Sequence, residues 1–464
     1  MTTRRSLRAA SERHVNYFLK KTEPGNEKSG FFREQVPGMT LLADVGGGAV
    51  RGEFELNGRA WVVIGDKLRE VFSDWTTVVR GSLATTTGRV EMAQGLFSLV
   101  IVDGPFGYAL TLADNTFAQI TDPDFYGSDR VSFLDGKFIF KRPDTQQFYW
   151  SSGVDGATEY DALDFASAES SPDNIIGHIV DHRELWLMGS AGGEVWYPNP
   201  SADSVYTRNN GAAIEVGLIA THSLQQVDNS IAWVGRDRKG QGIVWIAGGA
   251  NGYIPLRISS GELEEAMDGL DLSGAYAWVY QDAGQTLYVL QVPDAPTTWV
   301  WNAATRRWHE QCDFVAGEKV RWRADNHMFA FGKHVVGDSN GKLYSINPDA
   351  YLNGSDVLYR EWTTPHAAVP TRERVYFDGL RLDVTTGQTS SGVTPYIEMR
   401  YSNDGGETWS SWAYRSTGPI GVFEPRTEWH RLGSARDRVW QFRTTANAKV
   451  SIIGMAVQAK GENA

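Results

Sequence analysis

"GLFSLVIVDGPFGYALTLADNTFAQI", residues 95–120, holds three short apolar runs parted by two tight-turn signals, Asp103-Gly104 and Asp114-Asn115. Such a stretch reads as strand, turn, strand, turn, strand. The scheme recurs on both sides. "RGEFELNGRAWVVIGDKLREVF" (51–72) sets Asn57-Gly58 and Gly65-Asp66 between its runs, and "RVSFLDGKFIFKRPDTQQFYW" (130–150) sets Asp135-Gly136 and Pro143-Asp144. Further units stand at 177–200, 230–258, 274–311 and 327–347. Their spacing of roughly 40–50 residues is the period of a propeller blade. Each sheet of a propeller buries both faces against its neighbours, so the repeat needs a shared pattern rather than shared identity. The expected fold class is therefore all-β, with a β-propeller of six or seven blades over residues 46–362.

The composition agrees. The chain of 464 residues has 17 Trp, 18 Tyr, 20 Phe and 49 Gly, which suits strands joined by many turns. Helical signals are rare, and the best is "SSGELEEAMDGL" (259–270), read as one short helix on a connection. There Ser259 reads as the cap, with Glu262 three residues on and Leu263, Met267 and Leu270 on one face. After the proline-bearing stretch "TTPHAAVPTRER", read as a linker over 363–374, about six alternating strands predict a small C-terminal β-sandwich over 375–464. Its strand arginines Arg400, Arg431, Arg438 and Arg443 read as a solvated face. Residues 1–45 are read as an N-terminal arm with a strand leading into the propeller.

Charge and cysteine content limit the partners. With 44 basic and 56 acidic residues the net charge is −12, which repels phosphates over a wide surface rather than holding them. The single cysteine, Cys312, permits no intramolecular disulfide and fits assembly in a reducing cytoplasm. No apolar run reaches the ~18 residues of a membrane span. The N-terminus has charge but no apolar core of a secretory signal.

"YSNDGGETWSSWA" (401–413) contains Ser402-x-Asp404-x-Gly406-x-Thr408-Trp409, a spacing that resembles the Asp-box of sialidases and related propellers. The residues explain themselves as a turn. Asp404 accepts from the turn's own amides, the glycines tolerate positive φ, and Trp409 closes over it as an apolar lid. The alternative is a carbohydrate-binding or sialidase-like propeller, which needs an arginine cluster and a tyrosine–carboxylate pair that nothing in the sequence marks. "WHEQC" (308–312) has no second Cys or His pair at zinc spacing, "DVGGGAVRG" (44–52) lacks the ending of a phosphate loop, and "VDHRE" (180–184) reads as a polar turn. The sequence thus assigns no catalytic residue, cofactor or metal, and the chain is expected not to be an enzyme. Residues 1–36 gather basic groups, among them Arg4, Arg5 and Arg8, with the aromatics Tyr17, Phe18, Phe31 and Phe32. They read as an arm that docks on a neighbouring subunit or an adaptor.

A series of stretches in order resembles one family, the packaged-DNA stabilisation proteins of short-tailed phages, also called tail accessory or tail hub proteins. They are "FFREQVPGM" (31–39), "GRVEMAQG" (88–95), "SSPDNIIGHIVDHRELWLMGSAGGEVWY" (170–197), "GLIATHSLQQVDNSIAWVGRD" (217–237), "GYIPLRISSGELEEAM" (252–267), "VVGDSNGKLYSIN" (335–347) and the C-terminal box with "WHRLGSARDRVWQFR". The resemblance implies a virion tail protein, assembled in the host cytoplasm, that adds to the portal–adaptor channel after packaging. It implies a ring of copies, expected to be a hexamer, that retains packaged DNA without sequence recognition and carries the tail needle or plug and the tailspikes or fibres.

Overall fold

The computed structural model describes residues 12–21, 30–169, 173–199, 205–236, 240, 242–368, 373–385, 394–419, 421–422 and 426–461. The chain forms two compact units. A central unit takes residues 41–295 and 323–345, and a terminal unit takes 1–40, 296–322 and 346–464.

In the central unit the stretch at 95–120 becomes the strands Ser98–Val102, Gly107–Thr111 and Phe117–Gln119, with Glu91–Gln94 ahead of them in one antiparallel sheet. Four more sheets have the same four-strand meander. They begin at the strands Val50–Leu56, Val131–Leu134, Ile175–Asp181 and Gln225–Val227. A hairpin, Tyr276–Asp282 with Gln285–Gln291, and a three-strand meander, Asn326–Ala330, Lys333–Gly337 and Lys342–Asn347, follow. The predicted turn pairs are what reverse these strands. Asp135 and Gly136 sit at φ 54° and 86°, the left-handed pair that matches strand twist in a two-residue hairpin. His182 and Arg183 of "VDHRE" do the same at 48° and 64°.

Apolar layers between successive sheets hold them face to face. Trp61 and Leu68 pack on Leu99 and Tyr108, Val100 on Phe138 and Phe140, Phe148 on Leu185, and Trp186 on Trp233. Tyr288 Oη donates to Ser223 O at 2.7 Å, tying the hairpin to the fifth sheet. Trp278 stacks on His327 at 5.2 Å, tying the hairpin to the last meander. Met328, Val335 and Leu343 of that meander then pack on Val50, Val62 and Val71 of the first sheet, which closes the ring. The first strand of every sheet neighbours the first strand of the next, so these strands surround the axis. The blade number left open between six and seven is seven among the described residues.

The helix forms at Gly261–Met267, with its cap one residue later than read. Ser260 Oγ accepts from Leu263 N at 3.2 Å. Ser259 instead donates to the buried Glu264 carboxylate at 2.6 Å.

The terminal unit is a β-sandwich, but its strands come from three parts of the chain. One sheet sets Arg307–Val315, Arg13–Val15, Arg360–Thr363, Asp437–Thr444, Tyr396–Ser402 and Ala413–Ser416 side by side. The other sets Tyr17–Lys21, Phe31–Gln35, Ile452–Gly461, Val375–Val384 and Glu428–His430. Trp362, Phe377, Leu382, Met399, Trp440 and Phe442 fill the space between them. Two readings of the sequence change here. The strands Arg13–Val15, Tyr17–Lys21 and Phe31–Gln35, read as parts of a docking arm, belong to the two sheets of the sandwich, and Val15 and Tyr17 are buried there. Residues 363–368, read as the start of a linker, pair with the strand Asp437–Thr444: Ala367 lies opposite Arg438, and Thr364 N donates to Trp440 O at 2.9 Å.

Candidate functional site

The box at 402–409 is a closed set of local hydrogen bonds. Ser402 Oγ donates to Asp404 Oδ1 at 2.7 Å and accepts from Gly406 N at 2.8 Å. Asp404 accepts from Thr408 N at 2.9 Å and from the Thr408 hydroxyl. These bonds from Thr408 and Ser402 hold the Asp404 carboxyl below its ordinary range. The polar groups of Ser402, Asp404 and Thr408 bond back into the turn, which is what a structural device requires. Asp404→Ala is expected to lower the thermal midpoint of the terminal unit by a few degrees, read by circular dichroism. An unchanged midpoint would mean that the turn does not depend on the carboxylate.

Trp409 does not lie alone over the turn. The Arg400 guanidinium sits 4.5 Å from its ring centroid and 4.4 Å from that of Trp412, and Arg443 lies 3.9 Å from Trp412. Arg443 also bonds Glu398 at 2.7 Å. The cations thus already cover indole faces on which a sugar would stack. Arg438, read as a solvated strand arginine, is 1% exposed. It lies 4.0 Å from the Tyr401 ring and 4.3 Å from that of Phe377, donates to Asn403 Oδ1 at 2.8 Å and to Leu432 O at 2.7 Å, and burial draws its pKa down to about 10. The signal was present in the sequence. Arg438 shares a strand face with Trp440 and Phe442, two and four residues on, and that face is the core.

Of the residues read as a docking arm, Arg4, Arg5 and Arg8 lie outside the described residues. Tyr17 is buried, and its hydroxyl donates to Val450 O at 2.9 Å, so its ring belongs to this chain's own core. Phe18 packs near His309, with ring centroids 6.0 Å apart; Phe32 is half-buried and Phe31 is exposed. The residue that sequence reasoning missed is Asn16, at the bend between the strands Arg13–Val15 and Tyr17–Lys21. Held at φ 54° and 1% exposed, it donates from Nδ2 to Cys312 O at 2.9 Å and Tyr359 O at 2.7 Å, and accepts from Cys312 N at 3.1 Å. Its neighbour Arg13 grips Glu310 through two bonds of 2.6 and 2.8 Å. The "WHEQC" residues are therefore occupied one by one. Glu310 is paired, burial takes the His309 pKa down to about 3, and burial raises the Cys312 thiol to about 12.

The axis of the central unit is bridged by polar side chains that reach across to sheets beyond their neighbours. Arg89, leading into the second sheet, lies 4.0 Å from the Tyr276 ring and donates to Asn326 Oδ1 at 2.5 Å. Arg130, leading into the third, donates to Thr221 O at 2.6 Å and Leu224 O at 2.7 Å. Glu91 Oε1 lies 3.0 Å from His222 Nδ1. Burial would raise the Glu91 carboxyl, but the His222 bond and the charges of Arg130, His222 and Arg89 hold it at about 2. Glu53 is the exception. Both its oxygens are buried without a hydrogen-bond partner among the described residues, and burial raises its pKa well above the ordinary 4.5. A folded state that keeps this proton while the unfolded chain releases it loses stability as pH rises above about 4.5. Glu53→Gln is therefore expected to melt a few degrees above the parent chain at pH 8, with the gap closing toward pH 4, in scanning calorimetry.

Comparison with known proteins places this architecture. The family model described as bacteriophage P22 Gp10, beta-propeller, matches residues 10–351, and the one described as bacteriophage P22 Gp10, beta-sandwich, matches residues 360–460. No curated protein sequence matches the chain. Among solved structures, the extracellular domain of the putative one component system BT4673 from B. thetaiotaomicron aligns at TM-score 0.45 and 10% identity over 67% of this chain and 40% of that one. This chain thus spans about two fifths of the length of that structure. The N-terminal domain of Nup159 aligns at TM-score 0.43 and 9% identity over 72% and 99%, and YCF48 bound to D1 peptide at 0.43 and 11% over 68% and 98%. No helix among the described residues is long and apolar enough to cross a membrane. With both the propeller and the sandwich matched over nearly the whole sequence, the chain belongs to the bacteriophage P22 Gp10 stabilisation family of phage structural proteins.

Proposed function

We propose that the chain is a tail hub of the virion, added as a ring of copies, expected to be a hexamer, below the portal and its adaptor. In that position it extends the channel, retains the packaged DNA, and anchors the tail needle or plug and the tailspikes or fibres, with no catalytic step. The observation that carries the reading is the family match over residues 10–351 and 360–460 together. The physical build supports it. Seven sheets closed into a ring leave no long free edge, and cross-axis bonds from Arg89, Glu91 and Arg130 brace the centre against distortion. The same bonds occupy the propeller's own axis, so the DNA path in this reading runs between copies. The net charge of −12 lets DNA slide past rather than adhere.

The test is add-back. DNA-filled particles that lack this chain are mixed with the purified protein and challenged with nuclease. The expected result is protected DNA and a new ring below the adaptor in electron micrographs. Particles that hold their DNA equally well without the chain would overturn the reading.

A further inference from the structure

The outer face of one sandwich sheet carries a stack of alternating indoles and cations. On the strands Ala413–Ser416, Tyr396–Ser402 and Asp437–Thr444, Tyr414 lies opposite Glu398, Glu398 opposite Arg443, and Arg400 opposite Gln441. Residues two apart on a strand share a face, so Tyr396, Glu398 and Arg400 look the same way as Tyr414 and Arg443. The stack runs Trp409, Arg400, Trp412, Arg443. Its two cations differ. Arg443 is neutralised by Glu398. Arg400 is half-buried and makes no ion pair among the described residues; its one side-chain hydrogen bond there runs from Nε to Gln441 Oε1 at 2.6 Å. Gln441 is fixed in turn, since its Nε2 donates to Thr363 Oγ1 at 3.1 Å. Two indoles and an anchored amide thus hold the Arg400 guanidinium flat, with its Nη groups left over. A planar fork ordered in advance and not neutralised is suited to a planar anion, and that order lowers the entropy lost on binding.

The rest of the face says which anion fits. Tyr414 is 72% and Tyr396 39% exposed, and no large aliphatic side chain is exposed among the described residues of these three strands. A peptide's apolar anchor therefore finds no aliphatic pocket here. Duplex DNA carries one charge per ~1.7 Å of helix axis and needs several free cations in a row, whereas Glu398 already neutralises Arg443 beside Arg400. A sugar chain with sparse carboxylates meets the remaining terms. It brings a planar anion for the arginine fork, apolar ring faces for the tyrosines, and hydroxyls for the acceptor capacity that the Glu398 carboxylate retains.

We propose that the outer face around Arg400, Tyr396 and Tyr414 is a binding site for an acidic glycan, a sugar chain bearing carboxylates such as a polyuronate. The Nη edge of Arg400 pairs with the sugar carboxylate, the exposed tyrosine rings take the apolar faces of neighbouring sugars, and Glu398 accepts from hydroxyls. Trp409 and Trp412 are the frame of the site rather than its platform, since the arginines cover their faces. The inference concerns the sandwich alone and is independent of the hub role.

Isothermal titration calorimetry of the full-length protein tests it. The probes are a galacturonic-acid oligomer, an uncharged dextran oligomer, a polyglutamate peptide and a duplex DNA. The expected result is that the galacturonate oligomer binds more tightly than the other three. Arg400→Gln and Tyr414→Ala should each weaken it ~10-fold, and Arg381→Gln, on the other sheet, should leave it unchanged. The fold of each variant is checked by its melting profile. Tyr414 is an exposed ring on the edge strand, so its variant decides the matter if loss of Arg400 disturbs the stack. No binding of the galacturonate oligomer, equal binding of dextran, polyglutamate or DNA, or an affinity unmoved in either folded variant would overturn the proposal.

Discussion

A chain that begins at Gly38 is expected to keep its central unit and lose the fold of its terminal one. The missing residues are not an appendage. Val15 and Tyr17 are buried in the terminal unit at 0% and 1% exposure, and each such burial contributes ~1.5–3 kcal/mol. The Asn16 side chain makes three buried hydrogen bonds, worth ~1 kcal/mol each. Together these approach ~6–9 kcal/mol, against a total stability for a domain of ~5–15 kcal/mol. The loss also bares the edge of the strand Ile452–Gly461, which Phe31–Gln35 covers at Arg33 opposite Ile452. Limited proteolysis should leave resistant segments over about 41–295 and 323–345 and digest the rest. A truncated chain whose terminal unit resists protease like the full one would show that these strands are dispensable.

Arg360→Ala is expected to cost the terminal unit ~3–5 kcal/mol, the largest single-residue effect foreseen. The Arg360 guanidinium is wholly buried and, among the described residues, has no carboxylate beside it. It donates instead to Gln35 Oε1 and to the carbonyls of Ala446 and Ala448. Gln35 Oε1 also accepts from Val450 N at 2.9 Å, so one guanidinium fixes the N-terminal strand and the 446–450 loop together. Alanine would leave a cavity and several buried acceptors unsatisfied. Arg360→Lys keeps the charge but lacks the planar fork, and should recover no more than about half. Urea unfolding followed by tryptophan fluorescence measures both, and a loss below ~1 kcal/mol for the alanine variant would contradict this account.

The propeller was legible because its signals are local. Asn57-Gly58 and Asp135-Gly136 name their turns within two residues, and the runs beside them alternate over four to seven. The ring order then follows from sequence order alone. The exact cap at Ser260 was harder, since adjacent serines give weak signals. The sandwich was legible only in its C-terminal half. Pairing of Arg13–Val15 with Arg360–Thr363, and of Phe31–Gln35 with Ile452–Gly461, joins segments more than 300 residues apart, and nothing local announces it. Charge misled at Arg438. It is a strand arginine satisfied by a carbonyl, an amide oxygen and rings, and composition cannot show those partners. The turn at 402–409 is suggested by its own residues because the bonds from Ser402 and Asp404 that close it are local.

The strand pairing at the two ends of the chain sets a schedule for synthesis. Phe31–Gln35 leaves the ribosome about 400 residues before its partner Ile452–Gly461 exists, and at ~5–20 residues per second that is a wait of ~20–80 s. The seven sheets of residues 41–345 can close during this interval, since each needs only the sheet just made and the first. The three N-terminal strands cannot complete their sheets. For most of translation Tyr17–Lys21 and Phe31–Gln35 have only each other to pair with, and Val15 and Tyr17 lack the core that buries them, so the segment is of the kind that captures strands of other nascent chains. Yield of this protein in a host should therefore depend on chaperones that bind the nascent N-terminus, more than on the propeller that makes up most of its mass.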